Sequence, residues 1–280
     1  MTVNATDAAV APALLQSAWD ALRAHPALLL SPAGAACLAF AAHLCFSAPF
    51  LLLELLGERA PWIDRYRIGR GAQAEDPRRW FRCLERIAYK YTVAVLPFAA
   101  LLQLLARRSA EEYRAAPPLF RALSECFACL LVFDTLFFIA HYVVHGNPWL
   151  YQKFHRSHHV NRDTFALAAQ DSSIEELLFQ QVLAVSSAKL VGCHPMSEIF
   201  FHLLNIWLAV EDHCGYDFPW ARHRLLPCFG GPPFHQAHHQ HFRGNYAPYF
   251  RHWDLIFGTS LPTCMEISST SDFTQQALAD

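Results

Sequence analysis

Eight histidines fall into three short clusters along this chain, and their spacing fits metal binding. The clusters, called boxes below, are His141 and His145; His155, His158 and His159; and His235, His238 and His239. Imidazole is a ligand for iron, copper, zinc and nickel, and residues four apart on a helix share one face. Because a tetrahedral zinc takes four ligands, eight imidazoles are too many for one such ion. The boxes therefore predict a site for two metal ions, with di-iron as the preferred interpretation.

Several other polar residues are candidates to complete or support this site. His213 follows two acidic residues and is the candidate ninth ligand. Asp134 lies seven residues before His141 on the same helical face, so we expect it to orient a ligand imidazole. Further candidates for such a supporting role are Asp212, Gln236 and Asn245. The sequence leaves open which of the following histidines also bind metal: His202, His223, His241 and His252.

The composition indicates a membrane protein. Hydrophobic residues make up 54% of the chain and charged residues 16%, whereas about 25% is typical of soluble domains. The net charge of −2 gives no support to nucleic-acid binding. The nine cysteines are scattered without a disulfide framework, as expected for buried or reduced thiols.

Five apolar segments predict the helices that position the boxes; they are residues 27–53, 91–106, 126–145, 177–188 and 199–210. The first is long enough to cross a bilayer. The third ends in the first box, which would place His141 and His145 where a helix leaves the membrane. The last two flank a turn at residues 192–195 and predict a hairpin that either enters the membrane or is buried in a cytosolic cap. The predicted fold is all-α, a multi-span membrane helical bundle with a cytosolic histidine-rich cap that holds a di-metal site.

The chain divides into three parts. Residues 1–26 are either a disordered tail or a short interfacial helix, residues 27–260 form the membrane-embedded domain, and residues 261–280 are a polar tail. We predict that residues 59–90 form an arginine-rich loop on the cytosolic side, because positive loops tend to stay there. This arrangement places the N-terminus outside the cytosol and the boxes inside it.

Short runs beyond the boxes carry a resemblance to a known family; they cover residues 165–168, 192–195, 205–208, 210–213, 215–216, 218–220, 247–250 and 252–254. With the boxes, they resemble the fatty acid hydroxylase/sterol desaturase superfamily of membrane di-iron enzymes over roughly residues 30–260. Within it they are most similar to the sterol side-chain hydroxylases. Two positions depart from the superfamily pattern: Gln236 stands where an aspartate is usual, and Tyr142 where an arginine is frequent.

The resemblance implies an enzyme of the endoplasmic reticulum membrane that hydroxylates cholesterol or a related sterol at C25. It implies two Fe ions held by the box histidines as the catalytic centre, with O2 as co-substrate. Electrons from NADPH would arrive through a partner such as cytochrome b5 or a membrane reductase, since the sequence carries no flavin or nicotinamide motif. The other expected partners are the sterol and membrane lipid; the oligomeric state is left open. We expect zinc in overexpressed protein, because Zn²⁺ binds nitrogen sites more tightly than Fe²⁺.

Two kinds of alternative remain. Residues 244–247 are also similar to C4-methylsterol oxidases, so a C4-methylsterol oxidase, a fatty-acyl hydroxylase or a desaturase would share the fold. An alternative of another class is a sterol-binding membrane protein that zinc stabilises and that performs no redox chemistry.

Overall fold

The computed structural model describes residues 5–25, 32–68, 78–105 and 114–261. Within these ranges the chain is helical, with two isolated β-bridges, and the predicted all-α class is confirmed. The principal helices are α1 (Ala5–Arg23), α2 (Pro32–Leu56), α3 (Arg78–Lys90), α4 (Leu96–Leu105), α5 (Leu119–Gly146), α6 (Ile174–Val191), α7 (Pro195–Asp212), α8 (Gly231–His241) and α9 (His252–Phe257).

Two of the described helices are long and apolar enough to cross a bilayer. They are the Gly34–Leu56 part of α2 and the whole of α5. At 1.5 Å per residue, the 28 residues of α5 extend about 42 Å, more than the hydrocarbon core needs. Large apolar side chains such as Phe120, Phe127 and Ile139 are exposed on α5, as lipid contact requires. The first and third predicted apolar segments therefore correspond to candidate membrane spans.

Helices α6 and α7 form the predicted hairpin, and it lies alongside α5. Gly192 ends α6 in the left-handed conformation (φ +66°), which suits glycine, and the His194 side chain caps the start of α7. At the tip, Cys193 belongs to a buried apolar cluster with Cys129 of α5, and the His194 N–H donates to Glu125. The hairpin thus extends from the histidine boxes toward the first turns of α5. Its passage through a membrane stays a prediction.

The N-terminal segment is a helix that packs on the same end of the bundle as the hairpin tip. Gln16 of α1 accepts a hydrogen bond from the Ala116 N–H and donates to the Arg114 carbonyl. Trp19 is buried with its ring 5.0 Å from that of His194. The described part of residues 1–26 is thus helical over Ala5–Arg23, and a position of this helix at a membrane interface stays a prediction. The structure describes the chain as far as Leu261, so the rest of the predicted polar tail lies outside the described residues.

The prediction of a loop over residues 59–90 is wrong for its last part. Residues 78–90 form α3, which buries Trp80, Cys83 and Ile87 at helical spacing. The high arginine content obscured this apolar stripe. A π-helical turn, Tyr91–Val95, then leads into α4, so the second apolar segment continues α3.

Candidate metal centre

The first box lies near the C-terminal end of α5, and backbone carbonyls fix both of its rings. The Nδ1 of His141 donates to the Tyr246 carbonyl at 2.7 Å, and that of His145 to the Phe242 carbonyl at 3.0 Å. Both carbonyls belong to the loop that follows α8. The loop therefore aims the Nε2 atoms of α5 into the bundle.

The second box is carried by irregular helical turns. After α5 the Asn147 side chain caps the start of a short helical turn, Pro148–Leu150, and a π-helical turn at Tyr151–His155 follows. His158 and His159 lie in a 3₁₀ turn, His158–Val160. π-helical turns occur frequently at functional sites, because the extra residue re-aims a side chain. Here the three rings of the box are all buried.

The third box lies on α8, whose start is shaped by glycine and proline. Gly231 has φ +71°, and the space where a Cβ would stand is occupied by the His223 ring. The Nδ1 of His238 donates to the Gly244 carbonyl at 2.7 Å, and that of His239 to the Asn161 carbonyl at 3.1 Å. His238 is thus held by the same loop that orients the first box, and His239 by the backbone that follows the second box.

The structure brings all nine predicted ligand histidines together in two adjacent clusters. Within each cluster the candidate nitrogen atoms lie within 4.8 Å of one another. The first cluster contains His141, His145, His155, His159 and His238, and the second contains His158, His213, His235 and His239. The His159 and His239 rings, one from each cluster, are 4.7 Å apart. Two neighbouring sites, with five and four imidazoles, fit the predicted pair of metal ions.

The positions of the ring protons in the first cluster are those expected for histidines that bind a cation. A carbonyl only accepts, so the Nδ1 of His141, His145 and His238 carries the proton and each Nε2 presents a lone pair. The Nε2 atoms of His145 and His238 are buried and have no hydrogen-bond partner among the described residues. The Nε2 of His141 faces that of His155 at 2.9 Å. Such convergent lone pairs repel each other unless a positive ion lies between them.

The second cluster shows the same pattern. The Nδ1 of His213 donates to the Ala209 carbonyl at 2.8 Å, so its Nε2 is also an acceptor. The Nε2 of His235 lies 3.0 Å from that of His213 and 3.1 Å from that of His239, and one ring proton cannot serve both. Burial, reinforced by the neighbouring imidazoles, holds the pKa of His213, His235 and His239 well below the usual value. The rings are therefore neutral, as metal ligands must be.

Glu176 supports the first cluster, and the sequence analysis missed it. Its Oε1 lies 2.9 Å from the Nδ1 of His155, and both side chains are buried. A carboxylate bonded to the second nitrogen of a metal-bound imidazole fixes the ring and raises its basicity. The available signal was local: Ser173 caps α6 through the Glu176 N–H, the capping pattern of Ser and Glu three residues apart.

The four residues expected to support the site lie near it and do different things. Gln236 joins α8 to the second-box loop, since its Oε1 accepts from Thr164 and its Nε2 donates to the Arg162 carbonyl at 2.8 Å. A carboxylate could not make that last bond. Asn245 fixes the loop after α8 by donating to the Phe234 carbonyl and accepting from the Leu261 N–H.

The two acidic residues of that set pair with other groups than imidazole. Asp212 forms a buried ion pair with Arg222 beside His213. Asp134 accepts from the N–H groups of Tyr249 and Phe250 at 2.9 and 3.0 Å, which differs from the expected contact with an imidazole. Seven residues along a helix correspond to about 10 Å, so Asp134 shares a face with His141 but is two turns away.

The remaining open histidines lie outside the two clusters. His223 contacts Asp217 at 2.9 Å, and His252 packs against Trp253. His241 is exposed at the end of α8. His202 lies 3.8 Å from Glu198 on α7, well before the metal end of that helix.

A cavity of about 730 Å³ opens directly onto both clusters. This volume lies in the range of small-molecule sites. His155 of the first cluster and His158, His213 and His235 of the second line its metal end. Apolar side chains that line its walls include Val95, Phe98, Phe133, Phe137, Leu203 and Ile206. The arrangement places two candidate metal sites at the end of an apolar chamber.

Comparison with known proteins confirms the family that the three histidine boxes and the short runs beyond them indicated. Residues 126–259 match the fatty acid hydroxylase family, and the chain belongs to it. The chain is 42% identical to the cholesterol 25-hydroxylase-like protein of Danio rerio over 88% of this chain and 97% of that protein. It is 41% identical to Homo sapiens cholesterol 25-hydroxylase over 88% of this chain and 90% of that enzyme.

A third relative belongs to the alternative class named above. Methylsterol monooxygenase erg25A of Aspergillus fumigatus is 31% identical over 63% of this chain and 60% of that protein. No solved structure matches this chain.

Proposed function

We propose that this protein is a membrane di-iron sterol monooxygenase that hydroxylates the side chain of cholesterol or a related sterol at C25. The observation that carries the proposal is the opening of two imidazole clusters onto one apolar cavity of about 730 Å³. The names of the Danio rerio and Homo sapiens relatives support cholesterol and position 25.

The nine clustered histidines would hold the two ions, five imidazoles on one and four on the other. Two bound iron ions would supply O2-dependent oxidation of an unactivated C–H bond, which protein side chains cannot perform. Glu176 would keep the proton on the Nδ1 of His155, and the carbonyls of Gly244 and Tyr246 would do the same for His238 and His141. The two carbonyls orient their rings without adding charge, whereas Glu176 would place one negative charge beside the first cluster.

The walls of the cavity would position the substrate and exclude water. Phe137 of α5, whose ring lies 5.3 Å from that of His141, faces the cavity at the metal end. Phe133 of α5 and Leu203 and Ile206 of α7 line it further away. An apolar chamber accepts a hydrocarbon side chain and keeps solvent from the reacting carbon. The sterol would enter with its branched tail toward the histidines.

Electrons would come from another protein. We propose NADPH as their source, delivered through cytochrome b5 or a membrane reductase. We further propose that the chain is a multi-pass protein of the endoplasmic reticulum membrane with the metal centre on the cytosolic side. A glycosylation sequon introduced after Leu261 should stay unmodified in cells, and its glycosylation would reverse the orientation.

Product analysis tests the reaction. C25 of cholesterol carries one hydrogen, so oxidation there stops at the alcohol, whereas a C4 methyl group can proceed to the acid. Iron-loaded protein with a reductase system and cholesterol under ¹⁸O2 should give one product with a single ¹⁸O atom at C25. A C4-carboxylate from a 4-methylsterol, with cholesterol unchanged, would instead support the methylsterol oxidase function that the Aspergillus fumigatus relative favours. Sterol binding without oxygen incorporation would indicate the zinc-stabilised binding protein.

A further inference from the structure

The cavity has a second polar region, far from the histidine clusters. At that end it is lined by side chains of α1, α6 and α7; they are Arg23, Lys189, Glu198 and His202. None of these residues belongs to either histidine cluster. Between the two polar ends the cavity face of α7 carries Ile199, Leu203, Ile206 and Ala209. It also carries Asn205, whose Oδ1 accepts from the Tyr249 hydroxyl. A ligand that fills the cavity would therefore need an apolar body and one polar end.

Helix geometry gives the distance between the ends. His202 precedes Asp212 by ten residues on α7, and Glu198 precedes it by fourteen. At 1.5 Å per residue these separations are about 15 and about 21 Å. That span is comparable with the length of an extended cholesterol molecule from its 3β-hydroxyl to C25. A sterol with its tail at the histidines would thus bring its hydroxyl to Glu198 and His202.

The pair itself suits a hydroxyl. Oε1 of Glu198 lies 3.8 Å from Nε2 of His202, which is longer than a direct hydrogen bond. One hydroxyl oxygen can lie within hydrogen-bonding distance of both atoms, donating its proton to the carboxylate and accepting from the imidazole. Both side chains are half-buried, with 19% and 32% of their surfaces exposed, so solvent competes only partly for them.

We propose that Glu198 and His202 form the site that binds the 3β-hydroxyl of the sterol and so determine which carbon reaches the metal centre. The proposal rests on the proposed function. In this arrangement the distance between the Glu198–His202 pair and the histidine clusters determines which carbon is oxidised. The apolar walls of the cavity contribute to the affinity for the sterol. Hydrogen bonds to charged groups discriminate by about 10- to 100-fold when the partner is missing.

The test compares cholesterol with 5-cholestene, which has the same skeleton without the 3β-hydroxyl. For the wild-type protein we expect kcat/KM about 10- to 100-fold higher for cholesterol. Glu198→Leu should clearly reduce this ratio by lowering the value for cholesterol alone, with the His202 contact accounting for any preference that is left. Glu198→Gln keeps an acceptor and should fall between the two. Glu85→Gln, which changes an exposed glutamate of α3 outside the cavity, should retain the wild-type ratio.

A third steroid, cholest-4-en-3-one, tests the role of His202. Cholest-4-en-3-one accepts a hydrogen bond at C3 but cannot donate one, so His202→Phe should impair its turnover while Glu198→Leu affects it little. Metal content and elution volume of each variant report on folding. Equal kcat/KM values of the wild type for cholesterol and 5-cholestene would overturn the proposal. An unchanged ratio of these two values in Glu198→Leu would overturn it as well.

Binding measurements separate this inference from the proposed function. Dissociation constants of radiolabelled cholesterol and 5-cholestene should show the same ratio in wild type and a clear decrease of it in Glu198→Leu, with or without turnover. If no sterol is oxidised but the binding ratio behaves as expected, the hydroxyl site stands and the proposed reaction fails. If cholesterol is oxidised at C25 and the ratio is absent, the reaction stands and the hydroxyl site is refuted.

Discussion

The Oε1 of Glu176 lies 2.9 Å from the Nδ1 of His155, and both side chains are buried. Glu176 is carried by α6 and His155 by the π-helical turn after α5. The contact therefore ties the hairpin to the second box. Through this contact the Glu176 carboxylate can orient the His155 ring and raise its basicity as a metal ligand.

Replacing Glu176 should weaken the first metal site. Glu176→Gln keeps the size of the side chain but removes the negative charge that favours a proton on the Nδ1 of His155. Losing such a partner typically lowers metal affinity or activity about 10- to 100-fold. Metal retention during dialysis against a chelator measures the effect. Glu175→Gln, which changes the exposed neighbouring residue, is the matched control, and equal retention in both variants would remove Glu176 from this role.

Replacing Asp134 should lower stability more than it alters the metal sites. Its carboxylate accepts from the N–H groups of Tyr249 and Phe250, and Asp134→Ala leaves both buried donors unpaired. Each unpaired group costs about 1–3 kcal/mol. We expect a clear decrease in the thermal midpoint in detergent, with a smaller decrease for Asp134→Asn, which retains one acceptor oxygen. An unchanged midpoint in Asp134→Ala would show that these hydrogen bonds are not important for stability.

A methyl group at Gly244 should disturb the loop that orients His238. Gly244 has φ +68°, and an added Cβ would lie 2.5 Å from the Thr259 carbonyl oxygen. The Gly244 carbonyl accepts from the Nδ1 of His238, so a shifted loop would change the aim of that ring. We expect Gly244→Ala to lose metal and activity together.

Gly258→Ala is the matched control for this variant. Gly258 has a similar φ of +66°, but an added Cβ would meet nothing within 4 Å. It should show only the conformational cost of the left-handed region, about 1–2 kcal/mol, and retain its metal. Equal metal loss in both variants would show that backbone conformation, and not the contact at Gly244, is responsible.

The residues of the site were more predictable than the surroundings that hold them. Eight of the nine clustered histidines could be proposed from the boxes, because imidazole pairs at helical spacing are unusual, and His213 from its place after two acidic residues. Glu176 could not, since its contact with His155 depends on how α6 packs against the second-box turn. Asp134 shows the same limit: periodicity gave its helical face correctly, but the partner came from residues 249–250, more than a hundred positions away. The arginines of α3 led to the prediction of a loop over residues 59–90, although Trp80, Cys83 and Ile87 are spaced as on one face of a helix.

Metal counting tests the central claim most directly, namely that the two histidine clusters hold two ions used for oxidation. The purified wild-type protein should contain two metal ions per chain, iron or zinc together, by mass spectrometry of the metals against protein concentration. His145→Ala, in the first cluster, and His213→Ala, in the second, should each lose about one ion and all sterol oxidation. Only the iron-loaded wild type should oxidise cholesterol, because zinc has no redox chemistry. A single ion per chain at full activity, or equal activity of the zinc-loaded protein, would contradict the account.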